Sequence, residues 1–327
     1  MEITKDKMKP KLMPNHEELE DYFKPAFIER YEKLTNFEEF KKFSLSFLRR
    51  SIRINTIKAD PKDVIQRLEK QGWIFTKIPW CNIGYWIDHI EGRRDIGSTK
   101  EHTLGYFYVQ EAASMIPPLV LDPKPDETIL DMAAAPGSKT TQIASMMKNK
   151  GILLANDYKG ARLAPLGINI QRCGITNIVL TLMDGHYFSQ SNIQFDKVLV
   201  DAPCSGTGTI RKSLKTLNIW NPKMIRRLSA TQKKLLKTAF TITKPGGTIV
   251  YSTCSCEPDE NEAVVSWLLD QFDNAKIEKI DLELNRSPPI MEFEGQKYNP
   301  QVKNCLRLWP QDNDTEGFFV TKISKKR

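Results

Sequence analysis

The chain has 327 residues, 40 % of them hydrophobic and 27 % charged, with a formal net charge of +8. That is the composition of an ordinary globular protein, long enough for two cores, and no apolar run approaches the roughly 20 residues that span a bilayer. No apolar segment follows the charged start Met1–Lys7, so we expect no secretory signal, a cytoplasmic location, and reduced thiols at the six cysteines.

Apolar spacing at Leu19, Tyr22, Phe23, Phe27 and Tyr31 predicts helices in the first 50 residues. Ser51–Ile57 then reads as a strand, Pro61–Lys70 as a helix and Trp73–Ile78 as a strand, a small α+β module. We place a domain boundary near Gly105, giving an N-terminal module of residues 1–105 and a second domain of residues 106–327. Tyr106–Val120 reads as a helix leading into that second domain, before a Pro-rich turn at 121–126. From there strands (128–131, 151–156, 178–182, 197–200 and 247–251) alternate with helical patterns (138–148, 160–173 and 222–243). Such alternation predicts an α/β fold, a doubly wound, Rossmann-like parallel sheet. A hairpin of Cys305–Pro310 with Gly317–Ile323 closes it.

Acids stand at or just after the predicted strand ends: Asp131, Asp157, Asp184 and Asp201. Asp157 is placed to accept hydrogen bonds from a ribose diol, and Asp184 to reach an adenine amine. Between the first strand and its helix lies Ala133-Ala134-Ala135-Pro136-Gly137-Ser138-Lys139, whose small side chains let a ligand approach the backbone. The spacing G-x-G-x-x-G is absent and the P-loop spacing is not met. An Ala/Pro/Gly loop with acids after three successive strands is instead the pattern of S-adenosylmethionine enzymes, so we expect that cofactor. Each acid alone could equally be a turn or cap residue.

Two cysteine motifs follow buried strands: Asp201-Ala202-Pro203-Cys204-Ser205-Gly206-Thr207-Gly208 and Tyr251-Ser252-Thr253-Cys254-Ser255-Cys256. Side by side in one parallel sheet, those strands bring Cys204 and Cys254 to one crevice. Carbon 5 of cytosine is a poor nucleophile until a thiolate adds at carbon 6 and breaks the ring conjugation. That chemistry needs a nucleophilic thiol, a group that takes the carbon-5 proton, and an acid near N3. Cys254 and Cys204 can fill the first two roles in either order, and Asp201 the third. Cys81, Cys173 and Cys305 read as small core residues. A zinc site lacks a fourth ligand at usual spacing, so no metal is expected.

With Asp131–Thr140, Asp201–Gly208 and Tyr251–Ser255, the chain resembles the Sun-type RNA cytosine-5 methyltransferase family. The match extends from Arg53-Ile-Asn-Thr through Val109-Gln-Glu-Ala-Ala-Ser to Gly317-Phe-Phe-Val. The resemblance implies that Cys254 is the nucleophile and Cys204 the release cysteine. It also implies cofactor contacts from Ala133 to Lys139 with Asp157, Arg162, Asp184 and Asp201, and an N-terminal module of RNA-recognition-like topology. In length and in the segment Gly105–Pro123 the chain is similar to compact archaeal tRNA-modifying members, which makes tRNA the expected partner. Ribosomal RNA is the alternative substrate. The rival readings are a DNA cytosine-5 methyltransferase and a catalytically silent RNA-binding assembly factor.

Ten Lys or Arg and no Asp or Glu fall between Arg211 and Lys244. A solvated helix face is the bland reading of that run. Its place between the two cysteines suggests an RNA groove of Arg211, Lys212, Lys215, Arg226, Arg227, Lys233 and Lys234. Trp220 reads as a core residue or as a platform for a base.

Overall fold

The computed structural model describes residues 10–327. Its N-terminal strands are β1 (Ser51–Ile54), β2 (Trp73–Lys77), β3 (Gly84–His89) and β4 (Phe107–Val109). They form one antiparallel sheet in the order β2-β3-β1-β4. The helix Pro61–Glu69 starts where the Asp60 side chain accepts the Lys62 N–H and Pro61 takes the first turn. Its Val64 and Leu68 pack on Ile52, Ile54, Ile87 and Phe107, one face of the sheet. Helix 61–69 between β1 and β2 and the short helix Lys100–Thr103 between β3 and β4 complete the expected RNA-recognition-like topology.

Part of the predicted helix 106–120 is strand β4 instead. Phe107 and Tyr108 are buried on opposite faces, and pairing with β1 outweighs the local helical pattern. The helix begins only at Ile116 and ends at Leu121.

The second sheet contains β5 (Thr128–Asp131), β6 (Ile152–Asp157), β7 (Ile178–Leu182), β8 (Phe195–Asp201) and β9 (Thr243–Thr253), all parallel. β10 (Ala275–Glu278) and β14 (Phe318–Lys325) extend it antiparallel, in the order β10-β14-β9-β8-β5-β6-β7. The small ribbon of β11 (Glu292–Phe293) and β12 (Gln296–Lys297) stands apart, and β13 (Leu306–Leu308) pairs β14 as the predicted hairpin does. The chain runs outward from β5 through β6 to β7, then returns to place β8 on the other side of β5. That reversal opens a crevice at the carboxyl ends of β5 and β8. Asn156, fully buried, ties the strand ends there, donating to the Met132 and Met183 carbonyls and accepting from Thr181.

Helices Pro25–Glu32 and Phe37–Ser44 pack on the second domain, although their sequence precedes the first. Phe27, Tyr31 and Phe40 share an aromatic core with Trp220, Ile225, Cys256 and Trp309. No helix among the described residues is long and apolar enough to cross a membrane.

Candidate active site

A cleft of about 770 Å³ opens at the crevice, lined by Ala133–Pro136, Ser138, Lys139, Asp131, Arg162, Asp201 and Cys254, with Tyr108, Glu111 and Glu316 on its far wall. Gly137, at φ +106°, turns the loop into helix Ser138–Met146. Lys139 on its first turn reaches across to β8, its Nζ 2.8 Å from Asp201 Oδ2. The other Asp201 oxygen accepts from Ser252 Oγ at 2.8 Å. Burial works against the Lys139 ammonium, but the Asp201 carboxylate outweighs it and holds the lysine above its ordinary pKa.

Cys204 and Cys254 stand at the ends of adjacent parallel strands, their Sγ atoms 3.2 Å apart. Cys254 faces the cleft. Cys204 lies behind it, and its thiol is pushed well above the ordinary range by the hydrogen bond with Cys254, then by burial and the Glu260 charge. The two loops are locked together by Glu260. Its carboxylate accepts from Ser205 N at 3.0 Å, Ser205 Oγ, Ser255 Oγ at 2.6 Å and Gln232 Nε2 at 2.9 Å. Gly208 completes the lock: its N–H donates to the Cys254 carbonyl, and its own carbonyl accepts from Gly317 N, both at 2.9 Å.

The remaining acids fall into three situations. Asp157 is fully buried, accepts from the Ala135 and Lys159 N–H groups, and has the Arg162 guanidinium 3.4 Å away. Asp131 is buried too; Thr140 bonds one oxygen at 2.7 Å, while Oδ1 has no partner. Burial, with a smaller contribution from Asp201, pushes Asp131 up to about 7 against the Thr140 bond. Asp184 is not brought into the cleft. It caps the turn Gly185–Gln190, and its bonds to His186 outweigh partial burial and hold its carboxyl below the usual range.

These residues suit S-adenosylmethionine. Small alanines leave room against the backbone, the unpartnered Asp131 Oδ1 offers a buried acceptor, and Asp157 with Arg162 supplies a polar end to the same cleft.

Arg211 departs from expectation. It is buried, donating to Ser46 Oγ, the Phe47 and Thr315 carbonyls and Asp314, so it braces the molecule instead of lining a groove. Lys212, Lys215, Arg226, Arg227 and Lys234 are exposed and Lys233 half-buried. Trp220 is a core residue, 5.1 Å edge-on to Phe27, with its Nε1 donating to Glu257. The Glu260 clamp and the Glu111/Glu316 wall escape a reading of spacing, because their partners lie far off in sequence; Glu260 sits in an acidic run, Pro258–Glu262, that reads as surface.

Comparison with known proteins gives the family of this fold. Residues 118–324 match the family model of the 16S rRNA methyltransferase RsmB/F, and residues 23–112 that of the N-terminal domain of 16S rRNA methyltransferase RsmF. The chain belongs to the RsmB/F, or Sun-type, methyltransferase family. It is an S-adenosylmethionine-dependent enzyme of the RNA cytosine-5 methyltransferase class. Among RsmB/F relatives, the tRNA (cytosine(49)-C(5))-methyltransferase of Pyrococcus abyssi is 47 % identical over 92 % of this chain and 96 % of that protein. The ribosomal RNA small subunit methyltransferase F of Aeromonas salmonicida is 44 % identical over 85 % of this chain, which spans only 58 % of that longer protein. A methyltransferase homolog from Pyrococcus horikoshii superimposes with a TM-score of 0.85 at 36 % identity, covering 96 % of this chain and all of that one. NSun6 from the same organism, solved with SFG, gives 0.82 at 25 % identity over 94 % and 99 %.

Proposed function

We propose that this enzyme methylates carbon 5 of a cytosine in tRNA through a covalent bond between Cys254 and carbon 6. The observation that carries the reading is the pair of thiols 3.2 Å apart beside the Asp201–Lys139 ion pair. S-adenosylmethionine, when bound, supplies a methyl group on a sulfonium. Cys254 faces the cleft and adds to carbon 6, with Asp201 at the N3 edge. Carbon 5 then bonds the methyl group as the methyl–sulfonium bond breaks to leave a neutral thioether; carbon 5 loses its proton to the Cys204 thiolate, and elimination breaks the bond between carbon 6 and the Cys254 sulfur. Covalent capture of Cys254 takes away its hydrogen bond with Cys204, while burial and the Glu260 charge stay to hold the Cys204 thiol up.

The cofactor contacts we assign are Ala133 to Lys139, Asp157, Arg162 and Asp201. Asp184 would need to turn from His186 to join them. Support for tRNA comes from the tRNA (cytosine(49)-C(5))-methyltransferase, 47 % identical to this chain, with the ribosomal RNA enzyme of Aeromonas salmonicida next to it at 44 %. Their similar identity keeps ribosomal RNA as the second reading. We assign the protein to the cytoplasm and propose two domains that meet after Val109 and not at 105/106, because β4 completes the antiparallel sheet and the family models cover residues 23–112 and 118–324.

A denaturing gel of Cys204→Ala and Cys254→Ala, each incubated with S-adenosylmethionine and bulk tRNA, tests the mechanism. A slow protein–RNA band is expected with Cys204→Ala alone. A band with Cys254→Ala alone reverses the two roles, and 5-methylcytosine formed at an undiminished rate by Cys254→Ala sinks the proposal. Small-subunit ribosomal RNA as the better substrate overturns the tRNA assignment.

A further inference from the structure

RNA-recognition-like sheets ordinarily stack bases on aromatic side chains of the face away from their helices. Here that face is taken. Arg53, Trp86 and Tyr108 point from it into the core shared with the second domain: Arg53 donates to Thr141 Oγ1 at 3.0 Å and the Ser138 carbonyl at 2.9 Å, the Tyr108 hydroxyl accepts from Asn169 Nδ2 at 3.2 Å, and Trp86, edge-on to Trp80 of its own domain, joins the same core. All three are at most 7 % exposed. An RNA touching this domain must therefore use another surface.

One such surface is a groove of about 250 Å³ at the sheet's end, where Lys11 and the segment 47–50 meet the β3 end and the turn 92–94. It gathers Lys11, Arg49, Arg50, Arg93 and Arg94 against the single acid of its lining, Asp88. Among the described residues, only Arg93 of these five forms an ion pair, with Asp95 at 3.0 Å. Aromatic rings hold two of the guanidinium planes: Arg49 lies 4.1 Å from the Trp86 ring centre and Arg94 4.9 Å from that of Phe47. Trp73, 3 % exposed, lines the same groove with its Nε1 buried and unpartnered. Burial and the neighbouring Arg94 charge pull the Arg50 guanidinium below its ordinary range. Unneutralised cations, held flat and crowded, call for a multivalent anion. A chain of contacts runs from the groove to the cleft: buried Arg211 donates to the Phe47 carbonyl on the groove wall, and its neighbour Lys212 lines the cleft.

We infer that this groove binds backbone phosphates of the substrate RNA, holding the strand beside the target nucleotide while the cleft takes the base. The inference rests on the proposal that the substrate is RNA. The test is a salt titration of binding to a bulk unmodified tRNA transcript, comparing wild type, Arg50→Ala/Arg94→Ala, and Lys70→Ala/Lys77→Ala. The last pair removes equal charge from exposed positions of the same domain outside the groove. Each phosphate contact contributes roughly 0.7 to 0.9 to the slope of log affinity against log salt. The arginine pair should lower the slope by about 1.4 to 1.8 and weaken binding on the order of tenfold near 0.1 M salt. The lysine pair should match wild type, and S-adenosylmethionine affinity should be unchanged in all three. Equal slopes for the two double variants, or an arginine variant that binds as wild type does, overturn the groove while leaving the methyltransferase reading intact. Wild type that neither binds nor methylates RNA overturns both.

Discussion

Asp131 shows at the scale of one residue how burial sets chemistry. It ends β5 with one carboxylate oxygen unpartnered, and its acid is pushed up to about 7, burial being the largest cause. A carboxyl raised in the fold contributes stability that is complete below its unfolded pKa, near 4, and lost as pH rises through about 7. Asp131→Asn cannot ionise. We expect denaturant unfolding of the cofactor-free protein to weaken less between pH 5 and pH 8 in this variant than in wild type, by a few kcal/mol at most. Equal changes in the two proteins would contradict the assignment. Glu111 and Glu316 share the cleft wall, and burial raises both, Glu111 further through the charge of Glu316. They add to the same fall, so the variant flattens it without abolishing it.

The two cysteine loops behave as one element because Glu260 and Gly208 bind them to each other. Glu260→Ala leaves the buried Ser205 N–H without its acceptor and takes one hydrogen bond each from Ser205 Oγ, Ser255 Oγ and the Gln232 amide, which retain each other and the Pro203 carbonyl. Leaving buried polar groups unmatched costs about 1–3 kcal/mol each. We expect a loss of about 3 kcal/mol or more by chemical denaturation, with adduct yield falling even at temperatures where the variant is folded. Gly208 is needed for a different reason. A Cβ there would sit 2.2 Å from the Gly317 carbonyl oxygen and 2.8 Å from that of Cys254. Gly208→Ala must push β14 or the Cys254 loop away. Methyl transfer should drop at least tenfold, an effect of about 1.4 kcal/mol or more on the barrier, while S-adenosylmethionine binding, which depends on the other side of the crevice, persists. Behind these loops the Arg307–Glu262 pair is fully buried. Arg307→Ala leaves the Glu262 charge without its counterion, and such losses cost about 3–5 kcal/mol.

Across the whole molecule, the N-terminal helices buttress the cysteine loops. Arg30 and Tyr31 bond the carboxylate of Glu257, three residues beyond Cys254, and Trp220 donates to the same group. Phe27 stacks on Tyr31 with ring centres 3.9 Å apart and meets Trp220 edge-on. Phe27→Ala should therefore cost about 3–5 kcal/mol, read as a lower midpoint of denaturant unfolding. It should also reduce adduct formation, although Phe27 lies outside the cleft lining. An unchanged midpoint would show that the helices pack too loosely to brace the site. The antiparallel domain is likewise a structural partner first. Its central Arg53 is buried against helix Ser138–Met146, so the surface that RNA-recognition-like folds ordinarily expose is spent on domain contact.

Local physics made much of this legible in the sequence. Alternating strands and helices, the Ala133–Lys139 loop and the two cysteine motifs depend on short-range pattern, and β5, β6, β7, β8 and β9 stand where that pattern puts them, with β8 and β9 longer at both ends. That Cys204 and Cys254 meet, Sγ to Sγ at 3.2 Å, follows from parallel strands with loops at one end. What the sequence left open needed contacts between distant segments. Arg211 sits in a run that reads as surface but is buried against Ser46, more than 160 residues earlier in the chain, and packing on the N-terminal helices makes Trp220 the core residue and not the base platform. Asp184 is spaced as a cofactor ligand, yet its hydrogen bonds turn it to His186. Phe107–Val109 follows its pairing with β1 and not its own helical pattern. The occupied face of the antiparallel sheet and the arginine groove at its end depend on how two domains dock. Periodicity reports which face of an element is apolar, and only the packed structure decides what covers it.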